Sequence, residues 1–379
     1  MPWKEQTLMS QRKAFIQQAI QSDRNMSKLC REYGISRKTG YKWLKRYLKR
    51  GEAGLKDQSR RPKHSPRRTP RAIEERVLRM RRQHPAWGGR KLNTRLKELG
   101  YQDIPSPSTI TAILHRHECV KPEESVWRQK VIRFEKTQPN QMLQMDFKAP
   151  YSVNGTECTI LTILDDYSRY LLCLKACINQ RRETVQGHLT STFYRFGLPE
   201  TILTDNGPPW GPANENPYYT RLTIWLMRLG IRVIRSRPYH PQTLGKDERL
   251  HRTLQEEVLN LHSFSSVSEL QKQLEEWQHV YNTQRPHDAL DLKTPHTRYH
   301  ASPRPFPEEL APIEYPKNYE IRKVCLSGYI SFRDTNYKVG KAFAGFPVGV
   351  IPSPTQEDRM DVYFCKQLIK TITLSHVEC

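Results

Sequence analysis

Apolar positions recur every three or four residues through the first 120 residues, then crowd into short β-rich runs after residue 140. Phe15, Ile16, Ala19 and Ile20 mark one helical face. NMSKLCREYGISRKTGYKWLKRYLKRG (25–51) predicts a helix, a turn at Gly34 and a second helix capped by Ser36. Trp43, Leu44 and Tyr47 fall on its inner side, and Arg37, Lys38, Thr39, Tyr41 and Lys42 on its early turns. A helix-turn-helix has this layout, with the second helix entering the major groove N-terminus first; the plainer reading is a helical hairpin with a solvated basic face. Residues 56–69 form a basic, proline-bearing linker. A second unit over 70–125 repeats the pattern: a helix from Ile73 to His84, then AWGGRKLNTRLKELG, then SPSTITAILHRH capped by Ser106 or Ser108.

Alternating α and β signals take over in 135–295. QMLQMDFKAP (141–150) reads as a strand, and Asn154-Gly155 as a two-residue hairpin turn. CTILTILDDYS and RYLLCLKAC complete three antiparallel strands. A helix ending at Gly197, a strand stopping at Asp205, a helix to Gly230 and the strand IRVIRS follow. Leu250, Leu254 and Val258 recur every four residues on the next helix, and 266–290 is a further helix ended by Pro286. A mixed α/β sheet is expected. Residues 296–316, with Pro303, Pro305, Pro307 and Pro312, read as a linker, and 317–379 as a small β domain of barrel type. The expected fold class is multidomain: tandem all-α helix-turn-helix units, an α/β core and a C-terminal β-barrel-like domain.

Charge sharpens the division. Residues 1–140 hold 34 Lys/Arg and 13 Asp/Glu, a net of +21, out of +23 for all 379 residues. A strongly basic module joined to a near-neutral one points to a nucleic-acid grip. The basic stretches lack the clustered Trp or Phe of a membrane-surface helix, and no apolar run is long enough to span a bilayer. Eight scattered cysteines without a CxxC pair, and a start without a secretory apolar segment, suit a cytoplasmic protein. His115, His117 and Cys119 have the wrong spacing for a zinc site.

Three acids stand out by position: Asp146 in the first strand, Asp205 at the end of the fourth and Glu248 at the head of a helix. If the first and fourth strands are neighbours, the two aspartates lie side by side. Two carboxylates about 4 Å apart repel by roughly 4 kcal/mol at an effective dielectric near 20. A hard divalent cation relieves this, so Mg²⁺ or Mn²⁺, as two ions, fits such a cluster. The bland alternative makes Asp205 a turn former in DNG, while Asp165 and Asp166 compete as acids that cap or pair at a strand end. Asp247 lies within about 20° of Leu254 and Val258 on a helical wheel, so it faces inward and suits the helix N-terminus. Glu248 falls in line with Arg252 on the polar face. Lys246 and Arg252 are candidate DNA contacts, and Tyr239 and His240 could line the site.

DDYSRY (165–170), LTDNGPPWG (203–211), HPQTLGKDERLHRTL (240–254) and YNTQRPHDAL (281–290), in this order, resemble the integrase-type region of bacterial insertion-sequence transposases. The resemblance is to the IS481 group, related to the IS3 group and to retroviral integrases, and covers nearly the whole chain. It implies an RNase H-like core and a catalytic, metal-binding acid triad falling on Asp146, Asp205 and Glu248. The implied activity is DNA cleavage at the element's ends, then joining of the 3′-hydroxyl to target DNA. The implied partners are double-stranded DNA and further copies of the chain, on the bacterial nucleoid. The Asp205–Glu248 interval is longer than in many relatives, and the HHCC zinc module of retroviral relatives is absent. Two other readings are a DNA-binding regulator whose core has lost activity, and a hydrolytic nuclease of the same fold.

Overall fold

The computed structural model describes residues 7–21, 23–57, 68–120, 135–211, 219–235, 245–354 and 358–374, and the chain forms two compact units, Met1–Arg68 and Thr69–Cys379. Most of the 56–69 linker, and Tyr239 and His240, lie outside the described residues.

In the first unit α1 (Leu8–Ala19), α2 (Met26–Glu32) and α3 (Arg37–Arg50) enclose Phe15, Ile16, Leu29, Cys30, Trp43 and Leu55. Gly34 makes the α2–α3 turn at φ +62°, and the Ser36 hydroxyl accepts the Thr39 N–H at 3.2 Å to start α3. Any side chain at Gly40 would collide with the Cys30 sulfur, so the two helices touch there. Arg37, Lys38, Tyr41 and Lys42 are exposed, and Thr39 bonds the capping serine.

In the second unit α4 (Arg71–Gln83), α5 (Gly89–Glu98) and α6 (Pro107–Arg116) close over Val77, Trp87, Leu92, Leu96, Ile110 and Ile113. Ser106 caps α6, and Glu74 is buried against Arg116 and His117.

Five strands form the central sheet in the order β3-β2-β1-β4-β5: β1 Leu143–Val153, β2 Thr156–Asp165, β3 Leu171–Cys177, β4 Thr201–Thr204 and β5 Arg232–Arg235. β1–β3 are antiparallel, turned at Asn154-Gly155 with both residues at positive φ; β4 and β5 run parallel to β1. α7 (Arg182–Phe196) and α8 (Arg221–Arg228) share a core with Leu143, Met145, Leu161 and Ile163. Alternate residues Ile160 and Leu164 pack on the other face against Leu250 and Leu254 of α9 (Gly245–Leu254) and Leu274 and Trp277 of α10 (Val267–Thr283). Helices therefore cover both faces of the sheet. The second helical unit meets α10: Val280 packs with its core, and Arg95 donates to the Gln284 amide oxygen at 3.2 Å just past the helix end.

Amide side chains occupy both sheet edges. On β3 the Asn282 carbonyl oxygen accepts the Leu171 N–H, Gln278 and Asn282 donate to the Leu171 carbonyl, and Gln271 takes the Ala176 N–H while donating to the Leu174 carbonyl. On β5 the Gln367 amide bridges the Val233 N–H and C=O at 3.4 Å.

The proline-rich segment is strapped to the core rather than spanning open space. Ser302 donates its N–H to Phe196, and Arg304 reaches the carbonyls of Pro199 and Leu229. Gly197, at φ +76°, lets this strap pass: a Cβ there would stand 2.6 Å from the Ser302 carbonyl oxygen.

The C-terminal domain corrects one expectation. It is not a barrel among the described residues but two separate sheets, β11-β10-β9-β6 and β7-β8. These comprise β6 Glu320–Lys323, β7 Tyr329–Phe332, β8 Thr335–Lys338, β9 Pro347–Pro352, β10 Arg359–Phe364 and β11 Gln367–Thr373. β6 skips its sequence neighbour to pair with β9, so the β7-β8 hairpin joins the four-stranded sheet through shared core side chains such as Ile330 and Phe332 rather than through a strand ladder.

Candidate active site

Asp146 stands in the middle of β1 and Asp205 directly after β4. Leu143 pairs with Ile202 and Gln144 with Leu203, and continuing that register by two residues sets Asp146 beside Asp205. Because the two strands run parallel, each step along one is matched by a step along the other. Glu248, exposed on the first turn of α9, completes the group. Burial pushes the Asp146 carboxyl up to about 6; the Phe147 N–H counters this, and the Asp205 and Glu248 charges add to it. Burial likewise raises Asp205, against the Gly207 N–H, the Trp210 side chain and the Arg235 charge. Asp146 thus feels the charges of both Asp205 and Glu248.

Do they suit a cation? All are hard oxygen donors, and Asp205 Oδ1 is buried with no hydrogen-bond partner among the described residues. The mutual repulsion felt at Asp146 is what a divalent ion would cancel. Among the described residues, no three His, Cys, Asp or Glu side chains are gathered closely enough to hold a metal ion as they stand. The donor set fits a hard cation in its chemistry.

His251, one turn after Asp247, is a site neighbour that the sequence reading misses. Its Nε2 lies 2.9 Å from the Thr162 hydroxyl and its Nδ1 3.9 Å from Asp146 Oδ2, while Thr162 pairs with Asp146 across β1–β2. Burial, then the Lys148 charge, pushes the imidazole down to about 4, so it is neutral at pH 7. The i, i+4 spacing from inward-facing Asp247 is the signal that could reveal it.

Asp165 and Asp166 both serve the scaffold. Asp165 accepts from the Ser168 N–H, the Ser168 hydroxyl and the Asn140 N–H at 2.6–2.8 Å. Asp166, fully buried, accepts from Gln144 Nε2 and the Lys136 N–H at 2.8 Å and pairs with the Lys246 ammonium. Lys246 therefore turns its charge inward, in contrast to the DNA contact expected of it. Arg252 is exposed.

The chain matches models of an integrase core domain over residues 136–241 and 229–295, which between them contain all three acids. It also matches a helix-turn-helix domain over 11–63, a homeodomain-like domain over 39–114 and the C-terminal domain of IS481 family transposases over 319–378. The last of these matches ties residues 319–378 to IS481 family transposases, and the first two tie residues 136–295 to integrase cores.

Relatives include an uncharacterized protein of insertion element IS476 from Xanthomonas euvesicatoria, 25% identical over 60% of this chain. The match spans 65% of that relative, and 54% of a second, from element IS407 of Burkholderia multivorans. The transposase for element IS21 of Pseudomonas aeruginosa is 23% identical over 76% of this chain and 73% of its own length. A simian T-cell lymphotropic virus intasome chain aligns over 79% of this chain and 99% of its own, at 17% identity and a TM-score of 0.36.

Proposed function

We propose that the chain is a DDE-type transposase that cuts DNA at the ends of its insertion sequence and joins the freed ends to target DNA. The observation carrying this reading is the β1–β4 register, which brings Asp146 beside Asp205 with Glu248 close enough to perturb Asp146. Asp146, Asp205 and Glu248 would hold two Mg²⁺ or Mn²⁺ ions. When bound, such ions activate an attacking oxygen and stabilise a leaving one.

In the first step a water oxygen forms a bond to phosphorus at the element's end, and the 3′ oxygen leaves as a hydroxyl. In the second that hydroxyl attacks a target phosphodiester and displaces another 3′ oxygen. Phosphodiester bonds are exchanged one for one in the second step, so no ATP is consumed. No Ser or Cys nucleophile is needed. Neutral His251 adds no charge beside Asp146 and braces Thr162 at the same strand pair. Arg37, Lys38, Thr39, Tyr41 and Lys42 would read the element's end, and Arg252 would meet DNA next to Glu248. Several copies would act together on DNA, since two ends must be joined.

The test is a joining assay with end DNA, a target plasmid and Mg²⁺ or Mn²⁺. Joined product from wild type and none from Asp146→Asn or Asp205→Asn is the expected result. Specific end binding without any cleavage or joining by wild type would instead establish the DNA-binding regulator.

A further inference from the structure

Lys246 and Asp166 lie 80 residues apart in sequence, yet their charges meet inside the protein. The Asp166 side chain is fully inaccessible and that of Lys246 only 15% exposed. Lys246 Nζ also donates to the Asp166 backbone carbonyl at 3.1 Å, so the ammonium is held at two points. On the same carboxylate, Oδ1 accepts from Gln144 Nε2 at 2.8 Å and Oδ2 from the Lys136 N–H.

These partners have a telling placement. Gln144 is two residues before Asp146 on β1, hence on the same face of that strand. Lys246 is two residues before Glu248 at the head of α9. One buried carboxylate therefore grips two of the three elements that present the acids, just upstream of Asp146 and of Glu248. The apolar contacts of Leu250 and Leu254 hold α9 on the sheet but are non-directional, so they permit small slides and rotations. A charge-assisted, two-point hydrogen bond fixes direction and distance.

We propose that the Lys246–Asp166 pair is a positioning clamp: it sets where Glu248 stands relative to Asp146, and Lys246 is not a DNA contact. This rests on the acid assignment above. A misplacement of about 1 Å costs on the order of 100-fold in rate in preorganised sites, so the clamp acts on turnover and not on affinity.

The experiment uses full-length protein in single-turnover joining with Mn²⁺, measuring both the rate at saturating end DNA and the Kd for end DNA. Lys246→Met and Asp166→Asn are each expected to slow joining at least 30-fold with Kd within threefold of wild type. The double variant should be no slower than the slower single, because the pair acts as one unit. Lys246→Arg, which keeps the charge, should recover most of the rate. A wild-type rate at saturating DNA with a tenfold weaker Kd for Lys246→Met would make Lys246 a DNA contact and overturn the proposal. Additive losses in the double variant would do the same. Should a single variant fail to fold, the double variant decides, since it removes both charges together; wild-type joining by it sinks the clamp. Glu248→Gln run alongside separates the two ideas. Full activity there defeats the acid assignment, whereas an inactive Glu248→Gln beside a fully active Lys246→Met defeats only the clamp.

Discussion

Asp247 and Glu248, consecutive on the first turn of α9, differ in burial: Asp247 is fully buried and Glu248 is exposed. Both Asp247 oxygens are buried, with the Thr162 hydroxyl and the Lys246 charge acting to favour the carboxylate. Burial, with the Asp146 and Asp166 charges, holds the Asp247 carboxyl well above the usual range. Asn keeps the shape of that side chain without its ionisable proton. Glu248→Gln is therefore expected to abolish joining, while Asp247→Asn keeps most activity and shifts stability by about 1 kcal/mol or less. Both variants in one joining assay check this; an inactive Asp247→Asn beside an active Glu248→Gln reverses the assignment.

The same burial makes stability depend on pH. A carboxyl whose folded pKa is raised binds its proton more tightly folded than unfolded. Stability is then lost as pH rises from the ordinary carboxylate range toward the raised value. Asp247→Asn removes this group, so the variant should gain on wild type as pH rises. Urea melts at pH 5 and pH 8 measure it, and an equal difference at both values refutes it.

Protons should also compete with metal at Asp146. With the carboxyl at about 6, metal binding gains as pH passes through that value, and acidic buffer weakens it. At half a unit below its pKa a group is about three-quarters protonated, so apparent metal affinity should drop about fourfold from this residue alone. Mn²⁺ titrations at pH 5.5 and 7.5 test the prediction, with Asp146→Asn as the flat control.

Exposed cations on α3 should govern salt sensitivity. Replacing Lys38 and Lys42 by Ala ought to weaken end binding and flatten the slope of log K against log salt by about 0.9 for each phosphate that the protein no longer neutralises. A slope equal to wild type would take these residues off the DNA.

Much of this is legible in the chain because it is local. Asn154-Gly155 announces its turn by residue type, and the inward face of α9 follows from Leu250 and Leu254 at helical spacing. The partners of those faces are harder to read. Lys246 reads as one more cation until Asp166, far away in sequence, is seen to meet it. His251 joins the site only because Thr162 stands across from Asp146 on the neighbouring strand. In the last domain, alternation marks which side of a strand is buried but not which strand lies beside it, so the β6–β9 pairing, and with it the open sheets, escapes a reading of the sequence.

The amides lining the outer strands of the central sheet have a consequence for assembly. Gln271, Gln278 and Asn282 already occupy backbone groups along β3, as Gln367 does at β5, so an incoming strand finds these positions taken. Copies meeting there would touch through side chains and could not zip into a continuous ladder. Such a boundary keeps two copies of the chain from adding strand to strand at these positions.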